Sequence, residues 1–414
     1  MLGKHRKEFA GMPWKENSVV DQRLEFVMRA LHAEAPLAEL CQEYGISRKT
    51  GYKWKERFLC GGLPALQDDS RRPERSPEAL PEQVVCEVVR LKQAHRTWGA
   101  RKLQALYQRL HGQEQTPSES SFKRVLDRCG LVEHRQPRRK SEQAGRLQCG
   151  IAAQKPNELW TVDFKGWWHS SDQQRCEPLT VRDAYSRYLL CVRPLADACS
   201  ETVRRQFLLL FEQHGLPQAI RSDNGSPFAS YNAPLGLSRL SAWWVALGIN
   251  LDRTDPGHPE QNGSHERMHR DLAAEVQYAQ SGSLSELLEA LELWRQSYNQ
   301  ARPHEALGMK TPAEVYTRST TRYLGDPEQL QYPLGYLRRR VNKNGRIGLE
   351  GHDLLISSAL SGWDVGLQPQ QDDRYGVYFG RLCLGVVDLA TLSFQCLPEP
   401  QPPAASGPQE VEAA

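Results

Sequence analysis

The sequence predicts a multidomain chain. It should hold N-terminal all-α helix-turn-helix domains, a central α/β core with a mixed five-stranded sheet, and a small C-terminal all-β barrel. Three observations predict this. Through the first third of the 414 residues, apolar residues recur at helical spacing. From about residue 155, short strand-like runs appear and then alternate with helical ones. Beyond about residue 330, short apolar runs are parted by Asn-Gly, Gly and Asp-Asp turns.

Composition narrows the class. At 39% hydrophobic, the chain has material for several cores, and its length suggests roughly two to four domains. It contains no run of eighteen apolar residues, and MLGKHRKEFAGMPWKENS lacks the apolar stretch of a secretion signal. A cytoplasmic protein with no membrane contact is expected. None of the ten cysteines is spaced C-x-x-C, which argues against a zinc finger or a disulfide framework. Net charge is +3 but unevenly placed. Residues 1–150 hold 28 Lys and Arg against 19 Asp and Glu, and the remainder 25 against 31. A basic front suggests contact with a polyanion.

The first domain is expected over residues 20–62. APLAELCQEYGISRKTGYKWKERF reads as two helices about a turn. Leu37, Leu40 and Cys41 form an apolar stripe, and Gly45 supplies the turn. Ser47 can cap the second helix, with Ile46 before it as a staple. Trp54 and Phe58 share that helix's apolar face. Arg48, Lys49, Thr50 and Lys53 crowd its first turns, where a recognition helix meets base edges and phosphates of DNA. An ordinary amphipathic hairpin is the competing reading.

A second helix-turn-helix or winged-helix domain is expected over 76–134, after the linker QDDSRRPERSPEALP. PEQVVCEVVRLKQAH and WGARKLQALYQRL have helical periodicity. In TPSESSFKRVLDRCG, Thr116 is the expected N-cap, Pro117 the first helical residue and Gly130 the stop. Ser120, Lys123, Arg124 and Arg128 should point outward, with Lys123 and Arg124 as DNA contacts. Residues 135–154 read as a basic linker in which Arg138, Arg139 and Lys140 could lie along phosphates.

The core is expected over 155–316. NELWTVDFKGWW, the two halves of EPLTVRDAYSRYLLCVRPL and INLDRT are its strands, and QAIRSDNG is a short strand and turn. SETVRRQFLLLFEQHG, LSRLSAWWVALG and EQNGSHERMHRDLAAEVQYA are its helices. Three acids stand out. Asp163 ends an apolar strand, Asp223 lies at the carboxyl end of another, and Glu266 falls in the first turns of a helix. Ligands gather at carboxyl ends of strands in such sheets, and three converging carboxylates would suit a hard divalent cation.

The order WTVDF, SDNG, HPEQNGSHERMHR and RPHEALGMKTPAEVY resembles the retroviral-integrase-type core of DDE transposases from bacterial insertion sequences. With the two helical regions ahead, the likeness spans about residues 20–316. It implies an RNase H-like fold and a DDE-type polynucleotidyl transferase that cleaves and joins transposon ends on double-stranded DNA. It further implies two Mg²⁺ ions, with Mn²⁺ as a possible substitute, and a homo-oligomer on DNA at the bacterial nucleoid. By the motif match, the catalytic and metal-binding acids are Asp163, Asp223 and Glu266.

Rivals exist for two of them. Asp183 sits at a hairpin, where Asp more often bonds turn backbone. Glu260 is six residues from Glu266, too far round a helix to share its face. His265 and His269 rank below the carboxylates as metal ligands. His269 and Arg270 are expected to touch DNA or to orient the glutamate. Trp160, Trp167, Trp168, Trp243 and Trp244 are expected in the core.

The sequence departs from the family pattern at two places. The Asp223–Glu266 gap is longer, around SYNAPLGLSRL, and position 273 is Ala where the family usually has Lys or Arg. The second departure keeps an alternative open: a catalytically weak or inactive sequence-specific DNA-binding protein that retains the core as scaffold. At the C-terminal end, 330–397 should form the small barrel, with a basic edge at Arg338, Arg339, Arg340 and Lys343, and 398–414 a disordered tail.

Overall fold

The computed structural model describes residues 18–69, 80–132, 150–195, 197–231, 233–254, 262–277 and 282–396. The chain forms two compact units, Met1–Leu80 and Pro81–Ala414.

The described residues of the first unit include α1 (Val19–Leu31), α2 (Leu37–Glu43) and α3 (Arg48–Gly61). Gly45 carries the turn before α3 at φ 64°, a conformation that costs glycine little. Ser47 then caps α3, its Oγ accepting from Thr50 N–H at 3.2 Å. Phe26, Val27, Leu40, Cys41, Trp54 and Leu66 close the core. The helices approach so closely that a Cβ on Gly51 would stand 2.5 Å from Cys41 Sγ.

The second unit opens with α4 (Glu82–Ala94), α5 (Ala100–His111) and α6 (Glu119–Arg128). Val88, Leu91, Leu103, Tyr107, Phe122, Val125 and Leu126 are buried between them. The N-cap of α6 is Ser118, not Thr116. Thr116 Oγ1 donates instead to the Gly112 carbonyl at 2.7 Å and closes the preceding turn. Among the described residues 80–132 there is no strand, and the three helices form a helix-turn-helix unit. It is fastened to the core. Arg101 pairs with Glu305, Arg109 reaches Glu314 at 2.7 Å, and Thr97 donates to Glu275.

The core sheet contains β1 (Leu159–Phe164), β4 (Pro178–Asp183), β5 (Leu189–Pro194), β6 (Ala219–Ser222) and β7 (Asn250–Arg253), with a small hairpin of β2 (Trp168–His169) and β3 (Arg175–Cys176) beside it. Its order is β5-β4-β1-β6-β7; β4 and β5 run antiparallel, β1, β6 and β7 parallel. The mixed five-stranded sheet is as expected. Helices α7 (Ser200–His214) and α8 (Arg239–Ala246) pack Phe207, Phe211, Trp243 and Trp244 against Trp160 and Val162. Helices α9 (Gly263–Leu272) and α10 (Leu284–Gln300) form a separate core of Met268, Leu272, Leu287, Leu291 and Trp294 with Leu189 and Val192 of β5. A π turn, Ala273–Gln277, continues α9, and α11 (Pro312–Val315) closes the core behind its Thr311–Glu314 capping box. Trp167 is not core: it is 55% exposed, with the Arg175 guanidinium over its ring.

The C-terminal part holds β8 (Leu337–Arg340), β9 (Arg346–Leu349), β10 (His352–Leu355), β11 (Asp364–Pro369), β12 (Arg374–Phe379), β13 (Leu382–Asp388) and β14 (Ser393–Cys396). They form an antiparallel sheet, β14-β13-β12-β11-β8, and a separate β9–β10 hairpin. Among the described residues no pairing joins β14 to β8, so the expected barrel is an open sheet. Its apolar face is covered instead by Ala242, Val245 and Ala246 of α8. The basic edge is partly neutralised, Arg340 lying 3.2 Å from Asp364. Among the described residues every cysteine is free, and no helix is long and apolar enough to cross a membrane.

Candidate active site

Strand alternation sends Trp160 and Val162 into one core and leaves Thr161 and Asp163 on the opposite face of β1, toward α9. Parallel pairing with β6 matches Leu159 to Ala219, Trp160 to Ile220 and Thr161 to Arg221. Continued two residues, that register sets Asp163 opposite Asp223 at the carboxyl ends of neighbouring strands, which lie about 4.8 Å apart. Asp223 is exposed, and its Oδ1 accepts from Gly225 N–H at 3.1 Å. Glu266 lies exposed in the first turn of α9.

The three acids act on one another. Burial pushes the Asp163 carboxyl up from its ordinary value, and the negative charges of Asp223 and then Glu266 push it further, to about 7. Neither Asp223 nor Glu266 has a salt-bridge partner among the described residues. The site is therefore short of positive charge, and its exposed carboxylates are oxygen donors suited to a hard divalent cation. The residues fit the implied Mg²⁺.

The rival Asp183 is placed at the wrong end of the sheet. It stands opposite Trp160, and its carboxylate accepts from Asn157 N–H and Ser186 N–H, each at 2.7 Å. Glu260 lies outside the described residues, as do Arg138, Arg139 and Lys140. Arg48, Lys49 and Lys53 are exposed on α3 and Thr50 is half-buried, while Lys123 and Arg124 are exposed on α6. Arg270 is exposed on α9, but His269 is only 4% exposed and faces the site instead of the surface. It sits on the side of α9 that packs against the sheet, and its Nδ1 lies 3.9 Å from Asp163 Oδ2.

Behind Asp163 lies a small polar network that the sequence motifs did not reveal. Thr180 faces Asp163 across the β1–β4 ladder. Its hydroxyl donates to the Asp163 carbonyl at 2.9 Å and also meets His265 Nε2 at 2.7 Å and His269 Nε2 at 2.8 Å. Thr161 Oγ1 meets His265 Nδ1 at 2.8 Å. Burial holds both histidines well below their ordinary values, His269 at about 3. The alternation of β1 was the available signal: Thr161, two residues before Asp163, shares its face.

Two buried arginines hold α9. Arg182 of β4 donates to the Ser264 carbonyl at 2.8 Å and to Ser264 Oγ at 2.7 Å, two residues before Glu266. Arg302, from the RPHEALG motif, reaches Asp271 at 2.7 Å and Glu275 at 2.9 Å. Its guanidinium also lies 5.7 Å from the Trp98 ring centre. Ala273 begins the π turn and is buried, so no basic side chain leaves the helix there.

The chain is similar in sequence to several known domains and proteins. Integrase core domain models match residues 153–259 and 247–312. A helix-turn-helix domain matches 22–74, a homeodomain-like domain 50–126, and the C-terminal domain of IS481 family transposases 338–395. An uncharacterized protein of insertion element IS476 from Xanthomonas euvesicatoria is 27% identical over 265 residues, covering 63% of this chain and 71% of that protein. One from insertion element IS407 of Burkholderia multivorans is 26% identical over 260 residues, covering 63% and 89%. Among solved structures, the BIV integrase catalytic core domain is 23% identical with a TM-score of 0.30, over 39% of this chain and 93% of that one.

Proposed function

This chain carries helix-turn-helix domains, an integrase core and an insertion-element transposase C-terminal domain, and we propose that it is a DNA transposase of the DDE type. It reads the ends of its own element with α3 and α6 and cleaves and joins DNA strands at Asp163, Asp223 and Glu266. What supports this reading is the register that sets Asp163 opposite Asp223 at neighbouring strand ends, with the charges of Asp223 and Glu266 both raising the Asp163 carboxyl. The three carboxylates would hold two Mg²⁺ ions, with Mn²⁺ as a substitute. Bound there, the ions would activate an attacking oxygen and stabilise the leaving one.

The chain's own residues position and orient. Asp163 and Asp223 present oxygens from adjacent strands, and Glu266 presents its own from the first turn of α9, where the helix dipole favours an anion. In cleavage, water attacks a phosphodiester at the element end and a DNA 3′-hydroxyl leaves. In joining, that hydroxyl attacks a target phosphodiester and displaces a second one, so the number of phosphodiester bonds is conserved. Arg270 and the exposed bases of α3 and α6 would contact phosphates, and a homo-oligomer would hold two ends together. The reaction belongs at the nucleoid, in the bacterial cytoplasm.

The test uses oligonucleotides carrying the DNA that flanks the gene on each side. The full chain should cut and join them in Mg²⁺, and Asp163→Asn, Asp223→Asn and Glu266→Gln should each abolish both steps while binding persists. Activity surviving in those variants would overturn the assignment. The buried Ala273 favours a second reading, a DNA-binding protein with a weak or inactive core. It predicts specific binding to the ends with no strand transfer, even in Mn²⁺.

A further inference from the structure

We propose that His269 supplies a nitrogen ligand, Nδ1, to the divalent cation held at Asp163. The proposal rests on reading Asp163 as a metal-holding acid and adds a donor of a different kind to that site.

Proton counting at Thr180 makes the argument. A hydroxyl carries one proton, and that of Thr180 goes to the Asp163 carbonyl, which can only accept. His269 Nε2–H therefore donates to that oxygen, which His265 Nε2 also meets. For His265 nothing is left over, because its Nδ1 meets Thr161 Oγ1 at 2.8 Å. For His269, Nδ1 is the remaining nitrogen, and it faces Asp163 Oδ2 at 3.9 Å. That separation is too long for a hydrogen bond. It falls within the span of two ligands on one ion, which at about 2.1 Å each from the ion lie roughly 3–4 Å apart. Asp163, His265 and His269 form a compact possible ligand set, and the bonding of His265 removes it from candidacy.

Two further features point the same way. Metal-binding histidines characteristically anchor one ring N–H on an oxygen so that the other nitrogen is aimed at the ion. Thr180 does this for His269, whose ring is buried and so held in place. Glu266 and His269 also stand at i and i+3 on α9. This Glu-x-x-His spacing presents a carboxylate and an imidazole from one helix to metal in helical bundles. An imidazole donor gains more with Mn²⁺ than with Mg²⁺, so His269 biases the site toward the softer ion.

The test is pulsed electron paramagnetic resonance of Mn²⁺ on the full chain, with calorimetric titration of Mn²⁺ and Mg²⁺. Wild type should show a directly coupled nitrogen. His269→Ala should lose it and bind Mn²⁺ about tenfold more weakly, with a smaller change for Mg²⁺. Thr180→Val, which frees the ring, should weaken the nitrogen coupling without deleting the ligand. His269→Gln serves if the alanine variant does not fold. Mn²⁺ that binds in an Asp163-dependent way with no nitrogen coupling overturns this proposal alone. Mn²⁺ that fails to bind, or binds equally to Asp163→Asn, overturns the metal reading of the site and this proposal with it.

Discussion

The buried Arg302 and the half-buried Glu275 form an ion pair, 2.9 Å between Nη1 and Oε1, that ties the turn after α10 to the π turn following α9. The same guanidinium reaches Asp271 and packs near Trp98, so one side chain fastens α9, the end of α10 and the second helix-turn-helix unit.

Replacing Arg302 by Ala should destabilise the second unit by roughly 3 kcal/mol, because Asp271 and Glu275 would be left without their shared counter-charge. Arg302→Lys should recover only part of this, since one ammonium cannot reproduce a fork between two carboxylates. Urea unfolding followed by hydrogen exchange in α5 and α9 measures both.

Asp163 should make the metal-free protein less stable as pH rises. Its folded carboxyl titrates near 7 against an ordinary 3.8, so between about pH 4 and 7 the folded state keeps a proton that the unfolded state has lost. Stability therefore falls through that window and levels above it. Asp163→Asn should then be more stable than wild type at pH 8 by roughly 1–3 kcal/mol, less than the full shift because Asp223 and Glu266 are exposed and screened. The advantage should vanish near pH 4, and at pH 8 Mg²⁺ should raise the melting temperature of wild type only.

Ser47→Ala should cost the first unit about 1 kcal/mol through loss of the α3 cap. Amide exchange should quicken in α3 and stay unchanged in α9.

DNA affinity should depend on salt through the exposed bases of α3 and α6. Replacing Lys49 or Lys53 on α3, or Lys123 or Arg124 on α6, by Ala should reduce the slope of log affinity against log salt by about 0.9 for each phosphate that the side chain neutralises. An unchanged slope would exclude that residue from phosphate binding.

Much of the site was legible because it rests on local periodicity. Alternation put Asp163 on the face opposite Trp160, and the Asp-Asn-Gly turn marked the end of β6 at Asp223. Pairings far apart in sequence were not legible. Thr180 and His265 meet only once β4 and α9 are stacked, and Arg302 stands in the RPHEALG motif with no partner nearby in the chain. The barrel expectation failed for a related reason: alternating residues specify strands, not which edges pair, and α8 supplied the cover that closure would have given. Trp167 shows that a bulky ring can remain outside the core when an arginine shields it.

The pairing of α5 with the 302–314 segment, through Arg101 to Glu305 and Arg109 to Glu314, has a metrical consequence. Because α6 packs on α5, its separation from Asp163 belongs to one folded body and not to a linker. For any DNA read by α6, the protein then works as a ruler. Inserting one base pair between the read sequence and the cut should not move the cut with the sequence that surrounds it. The cut should stay the same number of base pairs from the site that α6 holds.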